Sequence, residues 1–268
     1  MEQTQTNFSD FPKRVVVELT NSCNLHCDYC PRHHIIMQEG FMSPKLFKSI
    51  IDQCHEHKYD VIPFWRGEMF LHPDVIELLT YAVYSVPHVY ITTNGTLNSL
   101  FTIPIDTFNK ITSISLSIRN SSGIGVVWEL NDKRVCETPH LQVSAIEQML
   151  GERIIDTFGF EFLRPTDTIR KYKQHTKNGK WGQTDGHVHE SNRPDMCSRL
   201  MTDLVIGWDG SISECCYVWP TLRGKLNNAN HRTIHELWTR SSLTTIREMY
   251  PSGYCLECDQ WQAKGKTL

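Results

Sequence analysis

Hydrophobic positions first form a clear pattern at residues 15–19, Val-Val-Val-Glu-Leu, a β-branched run that reads as a buried strand. Residues 44–57 read as a helix, with Ser43 as its cap and Pro44 at its first position. Residues 59–64 are a second strand. Residues 73–85 are a second helix, with Val75, Ile76, Leu78, Leu79 and Val83 at helical spacing. A third strand at 88–92 runs into Asn94-Gly95. A fourth at 111–118 alternates Ile and Leu with Ser and Thr. A weaker strand at 135–144, a helix at 146–151 and a strand at 156–163 complete six strand-led units. Strands alternating with helices imply parallel β/α units with a right-handed wind. Six units are fewer than the eight of a closed barrel.

The pattern changes after residue 165. Lys, Gln, Asn, Gly, His and Asp dominate to residue 196, with only Ile169, Tyr172, Trp181, Val188 and Met196 as larger apolar or aromatic groups. This reads as a connecting segment or active-site cover. His187 and His189 alternate within it with no other ligand at metal spacing, and read as solvated. Residues 205–213 then read as a β-hairpin turning at Asp209-Gly210. Residues 233–249 read as a helix, with Ile234, Leu237, Trp238, Leu243 and Ile246 on its apolar side.

Composition narrows the class. The 268 residues suffice for one large domain or one and a half ordinary ones. A net charge of -3 offers no basic field for nucleic acid. No apolar run is as long as a membrane span, and residues 1–10 are too polar for a signal peptide. The 10 cysteines stand at ligand spacings in a chain too long to need disulfide staples. That favours a reducing, cytoplasmic compartment and metal.

Three of these cysteines, Cys23, Cys27 and Cys30, form C-x-x-x-C-x-x-C on the loop leaving the first strand. Three closely spaced thiolates can hold three irons of a cubane. The fourth iron then stays open, as in catalytic metal sites that keep one position for substrate. Zinc loops more often use C-x-x-C pairs with a fourth protein ligand nearby. With Tyr29 just before the third cysteine, the loop resembles that of the radical S-adenosylmethionine superfamily.

The resemblance covers residues 12–165 and implies an α/β fold, an open partial (β/α)6 barrel. It implies a 4Fe–4S cluster on Cys23, Cys27 and Cys30, with S-adenosylmethionine chelated at the open iron. Chemistry in parallel α/β folds sits at the carboxyl ends of strands. The second strand ends in Trp65-Arg66-Gly67-Glu68, where family members usually carry Gly-Gly-Glu. Arg66 departs from that pattern. Gly67 can let backbone approach a ligand, and Glu68 can pair with the cofactor's ammonium. Asn94, after the third strand, is similar to the family's loop facing cofactor or substrate, and is also an ordinary turn residue. Ser115-Leu116-Ser117 is similar to the family's Ser-Leu-Asp that reaches the ribose, and two hydroxyls on one face also occur on any half-polar strand.

The C-terminal cysteines are Cys197, the vicinal Cys215 and Cys216, and Cys255-x-x-Cys258. Four thiolates suit a second 4Fe–4S cluster, and equally a zinc site when this half is taken alone. Residues 197–262 resemble the abbreviated auxiliary-cluster domain called twitch, related to SPASM, a hairpin plus a helix joined through 166–196. That resemblance implies a cluster on Cys197, Cys215, Cys255 and Cys258. Cys54 and Cys136 read as small apolar core groups.

Family members with one such cluster include dehydrogenases of aminoglycoside synthesis. The implied reaction is oxidation of an alcohol carbon of a sugar or aminocyclitol, with the auxiliary cluster accepting an electron. A flavodoxin- or ferredoxin-type protein is the implied reductant. The other class is a radical epimerase or peptide maturase. An epimerase needs a hydrogen donor, for which Cys216 or Cys136 could serve. A small-molecule substrate is favoured over a peptide, because only about twelve residues precede the first strand and maturases usually carry a peptide-recognition domain there.

Overall fold

The computed structural model describes residues 10–26, 30, 32, 36–94, 97, 99, 102–119, 124–130, 170–171, 197–218, 221–222 and 224–251, with backbone only at 105, 113–119, 124–130 and 170–171. Strand β1 (Arg14–Val17) is the valine run, and Val15, Val16 and Val17 are all buried. Helix α1 (Pro44–His57) begins where the Ser43 hydroxyl accepts the Leu46 N–H at 3.2 Å. It ends at Lys58, whose left-handed backbone turns its N–H back onto the Cys54 and His55 carbonyls. Leu46, Phe47, Ile50, Ile51 and Cys54 form its buried face. Strand β2 (Asp60–Ile62) then lies parallel to β1, with Val15 opposite Val61.

Helix α2 (Val75–Ser85) buries Val75, Leu78, Leu79, Ala82 and Val83, the positions its periodicity marks. Strand β3 (Tyr90–Thr93), helix α3 (Ile105–Lys110) and strand β4 (Ser113–Arg119) follow, and β4 runs parallel to β3. A parallel bridge between Val61 and Val89 joins β2 to the entry of β3. The first four strands therefore alternate with helices and pair in parallel, as the pattern requires.

Beyond β4 the structure departs from that expectation. Strand β5 (Ile124–Leu130) pairs antiparallel with β4, and β6 (Arg170–Lys171) pairs antiparallel with β5. The sequence reading assigned no element at 124–130, although Ile-Gly-Val-Val-Trp-Glu-Leu is β-branched and aromatic and the preceding Asn-Ser-Ser-Gly is turn-forming. Strand β6 falls within the expected connecting segment. The strands expected at 135–144 and 156–163, the helix at 146–151, and His187 and His189 lie outside the described residues.

The C-terminal part starts with helix α4 (Ser198–Thr202) and continues as strand β7 (Asp203–Ile206). Strand β7 does not form a separate unit. It adds in parallel to the free side of β1, with Val16 opposite Val205. Strand β8 (Ile212–Ser213) pairs antiparallel with β7, giving the sheet order β2-β1-β7-β8. The hairpin turns at Asp209-Gly210 as expected, with Gly210 at φ 84.

The expected helix at 233–249 is two helices, α5 (Ile234–Arg240) and α6 (Ser242–Glu248), broken at Ser241. The Ser241 hydroxyl accepts the Leu243 N–H and donates to the Leu237 carbonyl, which makes it an N-cap inside an otherwise helical run. Leu204, Ile206, Ile212, Leu237, Trp238 and Leu243 share one continuous core with Val15, Phe47, Ile50 and Leu78. Among the described residues, this core draws on both the 12–165 and the 197–262 parts of the chain.

Candidate active site

The loop that leaves β1 is held by the segment that returns to α1. Asn21 Nδ2 donates to the Gln38 carbonyl at 2.8 Å, and its Oδ1 accepts the Gly40 N–H at 3.0 Å. Thr20 donates to the Gly40 carbonyl, and Met42 N–H reaches the Leu19 carbonyl at 2.8 Å. Arg32 donates to the Asn21 and Cys23 carbonyls and pairs with Glu39. Cys23 therefore stands on a braced turn, and its sulfur accepts the Leu25 N–H at 3.5 Å. Cys30 is described and half-buried, whereas Cys27 lies outside the described residues.

The end of β2 closes over this loop. Glu68 N–H donates to the Ser22 carbonyl at 2.8 Å. A Cβ on Gly67 would stand 2.4 Å from the Ser22 carbonyl oxygen and 2.5 Å from that of Thr20. The close backbone approach that Gly67 permits is thus to the chain's own cysteine loop.

Glu68 is only 3% exposed. One carboxylate oxygen accepts the Thr93 hydroxyl at 2.7 Å and the Phe70 N–H at 3.1 Å, and the other accepts the Asn94 N–H at 2.7 Å. Burial pushes its pKa up, and these three donors pull it back. No salt bridge to Glu68 occurs among the described residues. The Asn94 side chain donates to Asn24 at 2.9 Å and stands 4.0 Å from the Cys23 sulfur. Glu68 and Asn94, read separately from sequence, thus meet beside Cys23. Ser115 lies opposite Thr92 in the β3–β4 register, and Ser117 follows on the same face of β4.

Sequence reading assigned no role to Glu18 and left Arg66 as an anomaly. Glu18 is wholly buried at the end of β1. Its carboxylate accepts Arg66 Nε at 2.8 Å, Arg66 Nη2 at 2.6 Å, the Arg66 backbone N–H at 3.2 Å and the Trp208 backbone N–H at 3.1 Å. The Arg66 guanidinium also stacks 4.0 Å from the centre of the Trp65 ring. The pair ties β1, β2 and the C-terminal hairpin together at the strand ends. A lone Glu inside an apolar strand was the available signal, since a buried charge requires a partner.

Arg66→Met should destabilise the protein by about 3–5 kcal/mol, because it leaves the Glu18 charge buried alone. Glu18→Gln combined with Arg66→Met should recover part of that loss. Denaturant unfolding measures both, and a single variant within about 1 kcal/mol of wild type would contradict the assignment.

The second cysteine set lies beyond Trp65, whose indole N–H donates to the Cys216 carbonyl at 2.7 Å. Cys215 and Cys216 share a side-chain hydrogen bond. That bond, then burial, then the neighbouring sulfurs of Cys216 and Cys197 hold the Cys215 pKa up, while the Tyr217 N–H pulls it down. The same bond lowers the Cys216 pKa against the effect of burial, with help from Arg199. Cys197 is among the groups that raise Cys215, and Cys216 Sγ takes the Arg199 guanidinium at 3.8 Å. Cys255, Cys258 and Cys136 lie outside the described residues. Cys54 is wholly buried on α1, where burial pushes its thiol pKa up.

A mixed α/β fold with a cysteine loop after β1, an acidic β2 end and a second cysteine set defines a class. The chain belongs to the radical S-adenosylmethionine superfamily. The model of that superfamily matches residues 17–118, and the SPASM model, an iron–sulfur cluster-binding domain, matches residues 197–259. The antilisterial bacteriocin subtilosin biosynthesis protein AlbA of Bacillus subtilis is 31% identical over 309 aligned positions, spanning 94% of this chain and 68% of AlbA. BtrN, solved in complex with AdoMet and 2-DOIA, shares the fold with a TM-score of 0.59 at 16% identity, covering 93% of this chain and 91% of BtrN. SuiB of Streptococcus suis, solved bound to S-adenosylmethionine, follows at TM-score 0.52 and 16% identity, covering 94% of this chain and 72% of SuiB.

This membership implies a 4Fe–4S cluster with S-adenosylmethionine, and further iron–sulfur chemistry in the SPASM part. The residues present fit these groups. Glu68 is a buried carboxylate with three hydrogen-bond donors and no salt bridge among the described residues, and Cys23 is a sulfur that accepts an N–H nearby. Among the described residues no helix is long and apolar enough to cross a membrane.

Glu68→Ala should weaken S-adenosylmethionine binding by roughly 1.5–3 kcal/mol, the range for a charged hydrogen bond, while leaving iron content unchanged. The cation requires the carboxylate, so affinity should rise with pH as Glu68 ionises and fall below its raised pKa. That pH dependence should be lost in Glu68→Ala. An unaltered dissociation constant, measured by equilibrium dialysis, would remove Glu68 from the site.

Proposed function

We propose that this protein is a radical oxidoreductase that oxidises an alcohol carbon of a sugar or aminocyclitol, with a second cluster as electron acceptor. The observation that supports it is the hydrogen bond from the Trp65 indole, at the end of β2, to the Cys216 carbonyl of the second cysteine set. Cys23, Cys27 and Cys30 would hold the first cluster, which with S-adenosylmethionine supplies a 5′-deoxyadenosyl radical for hydrogen abstraction. Cys197, Cys215, Cys255 and Cys258 would hold the second with every iron bound by protein, leaving electron exchange as its use.

Glu68 would take the cofactor's ammonium, held in place by Thr93, Phe70 and Asn94. Asn94 would keep that carboxylate and the Cys23 loop in fixed relation. Ser115 and Ser117 would reach the ribose. BtrN, whose fold this chain shares, is solved with 2-DOIA bound, which supports a small-molecule substrate.

A second reading is oxidation of a peptide, and the 31% identity to a bacteriocin biosynthesis protein favours it. Anaerobic reaction of the reconstituted protein with aminocyclitols, sugars and cysteine-containing peptides, followed by deoxyadenosine release and product mass, tests both. Loss of two hydrogens from an aminocyclitol or sugar supports the first reading, and from a peptide the second. Unchanged mass with one solvent deuterium would replace both with an epimerase, for which Cys216 would be the candidate hydrogen donor.

A further inference from the structure

Arg199 sits in the first turn of α4, two residues after Cys197. Its Nη1 donates to the Cys216 sulfur at 3.8 Å, and its guanidinium carbon lies 4.9 Å from the centre of the Tyr217 ring. Its Nε is buried without a hydrogen-bond partner. The nearby acid, Asp203, is committed elsewhere: its oxygens accept Arg14 Nε at 2.9 Å and Arg14 Nη2 at 3.2 Å, and it also accepts the Thr202 hydroxyl. Among the described residues no carboxylate forms an ion pair with Arg199. A largely buried guanidinium with no carboxylate needs another source of negative charge. The charged or ionisable groups that act on it are Tyr217, Cys216, Asp203 and Cys215, two of them sulfurs of the second cysteine set.

We propose that Arg199 is the built-in counter-charge of the second cluster and raises its reduction potential. The assignment rests on the reading that Cys197 and Cys215 ligate that cluster. A cubane held by four thiolates is anionic, and uptake of one electron makes it more so. A fixed cation in a low-dielectric setting therefore stabilises the reduced form more than the oxidised one. Tyr217 offers its ring and Cys216 its sulfur to hold the guanidinium in place. Arg199 touches no substrate in this role. It makes the cluster a better acceptor without altering the first site.

The test is a potentiometric titration of the anaerobically reconstituted protein, followed by electron paramagnetic resonance, in wild type, Arg199→Gln and Arg199→Lys. In Arg199→Gln the second midpoint should move negative by about tenfold in the reduction equilibrium, which is 59 mV for one electron. Arg199→Lys should stay near wild type, and the first midpoint and cofactor cleavage should not move in either variant. A filled second cluster in Arg199→Gln with the wild-type midpoint overturns the assignment. Should Arg199→Gln fail to assemble that cluster, assembly in Arg199→Lys supports the counter-charge, and failure of both assigns the residue to packing and overturns it. Zinc in place of the second cluster in wild-type protein overturns the underlying reading, and this assignment with it.

Discussion

Cys23→Ala should abolish cleavage of S-adenosylmethionine and lower iron by about four atoms per chain, the content of one cubane. The sulfur is lost from a loop that is otherwise held at both ends. Asn21 is bonded to the Gln38–Gly40 segment, and Ser22 is gripped by the Glu68 N–H. None of these bonds uses the Cys23 side chain, so the backbone should keep its course and the loss should fall on the metal site. Two thiolates remaining on the loop cannot hold a cubane in place of three. The second cluster should persist with its own spectrum. Mössbauer spectra and iron counts check the cluster, and deoxyadenosine release checks cleavage. Cleavage at the wild-type rate in Cys23→Ala would remove the loop from the chemistry.

Cys215→Ala should remove the other half of the iron while cofactor cleavage continues, and should leave little or no oxidised product. Cys197 acts on Cys215, while Cys216 is held by Arg199 and by the bond to its neighbour. With Cys215 as the proposed ligand, Cys216→Ala should keep both clusters. The opposite outcome, with the cluster lost in Cys216→Ala and kept in Cys215→Ala, would reverse the assignment. If Cys215→Ala loses the cluster but product still forms, the cluster is structural and a redox-neutral reaction becomes the better account. The contrast between the Cys23 and Cys215 variants separates radical generation from electron removal.

Much of the site could be read from local sequence because its chemistry depends on short spacings. Three cysteines within eight positions define a chelating loop wherever the chain places them. The helix at 44–57 was equally local, since Ser43, Pro44 and the buried Leu46–Phe47–Ile50–Ile51 stripe all act within one element. Strand β5 carries no assignment from sequence because its pairing with β4 depends on a partner rather than on a periodicity. The break at Ser241 was missed because a serine hydroxyl inside an apolar helical pattern does not reveal whether it will turn inward as a cap.

Sequence by itself determined the cysteine loop, the β/α order of the first four strands, and the apolar faces that bury them, because each follows from residues a few positions apart. Only the tertiary structure decided that β7 joins the edge of β1 and adds the C-terminal part to the β1–β2 sheet. It also decided that Arg66 answers the buried Glu18, that Trp65 reaches the Cys216 backbone, and that Glu68, Thr93 and Asn94 converge beside Cys23. These are contacts between positions from 25 to almost 190 residues apart. Their energies come from desolvating charges and pairing strand edges in three dimensions, and no local pattern in the chain encodes which distant group will supply the partner.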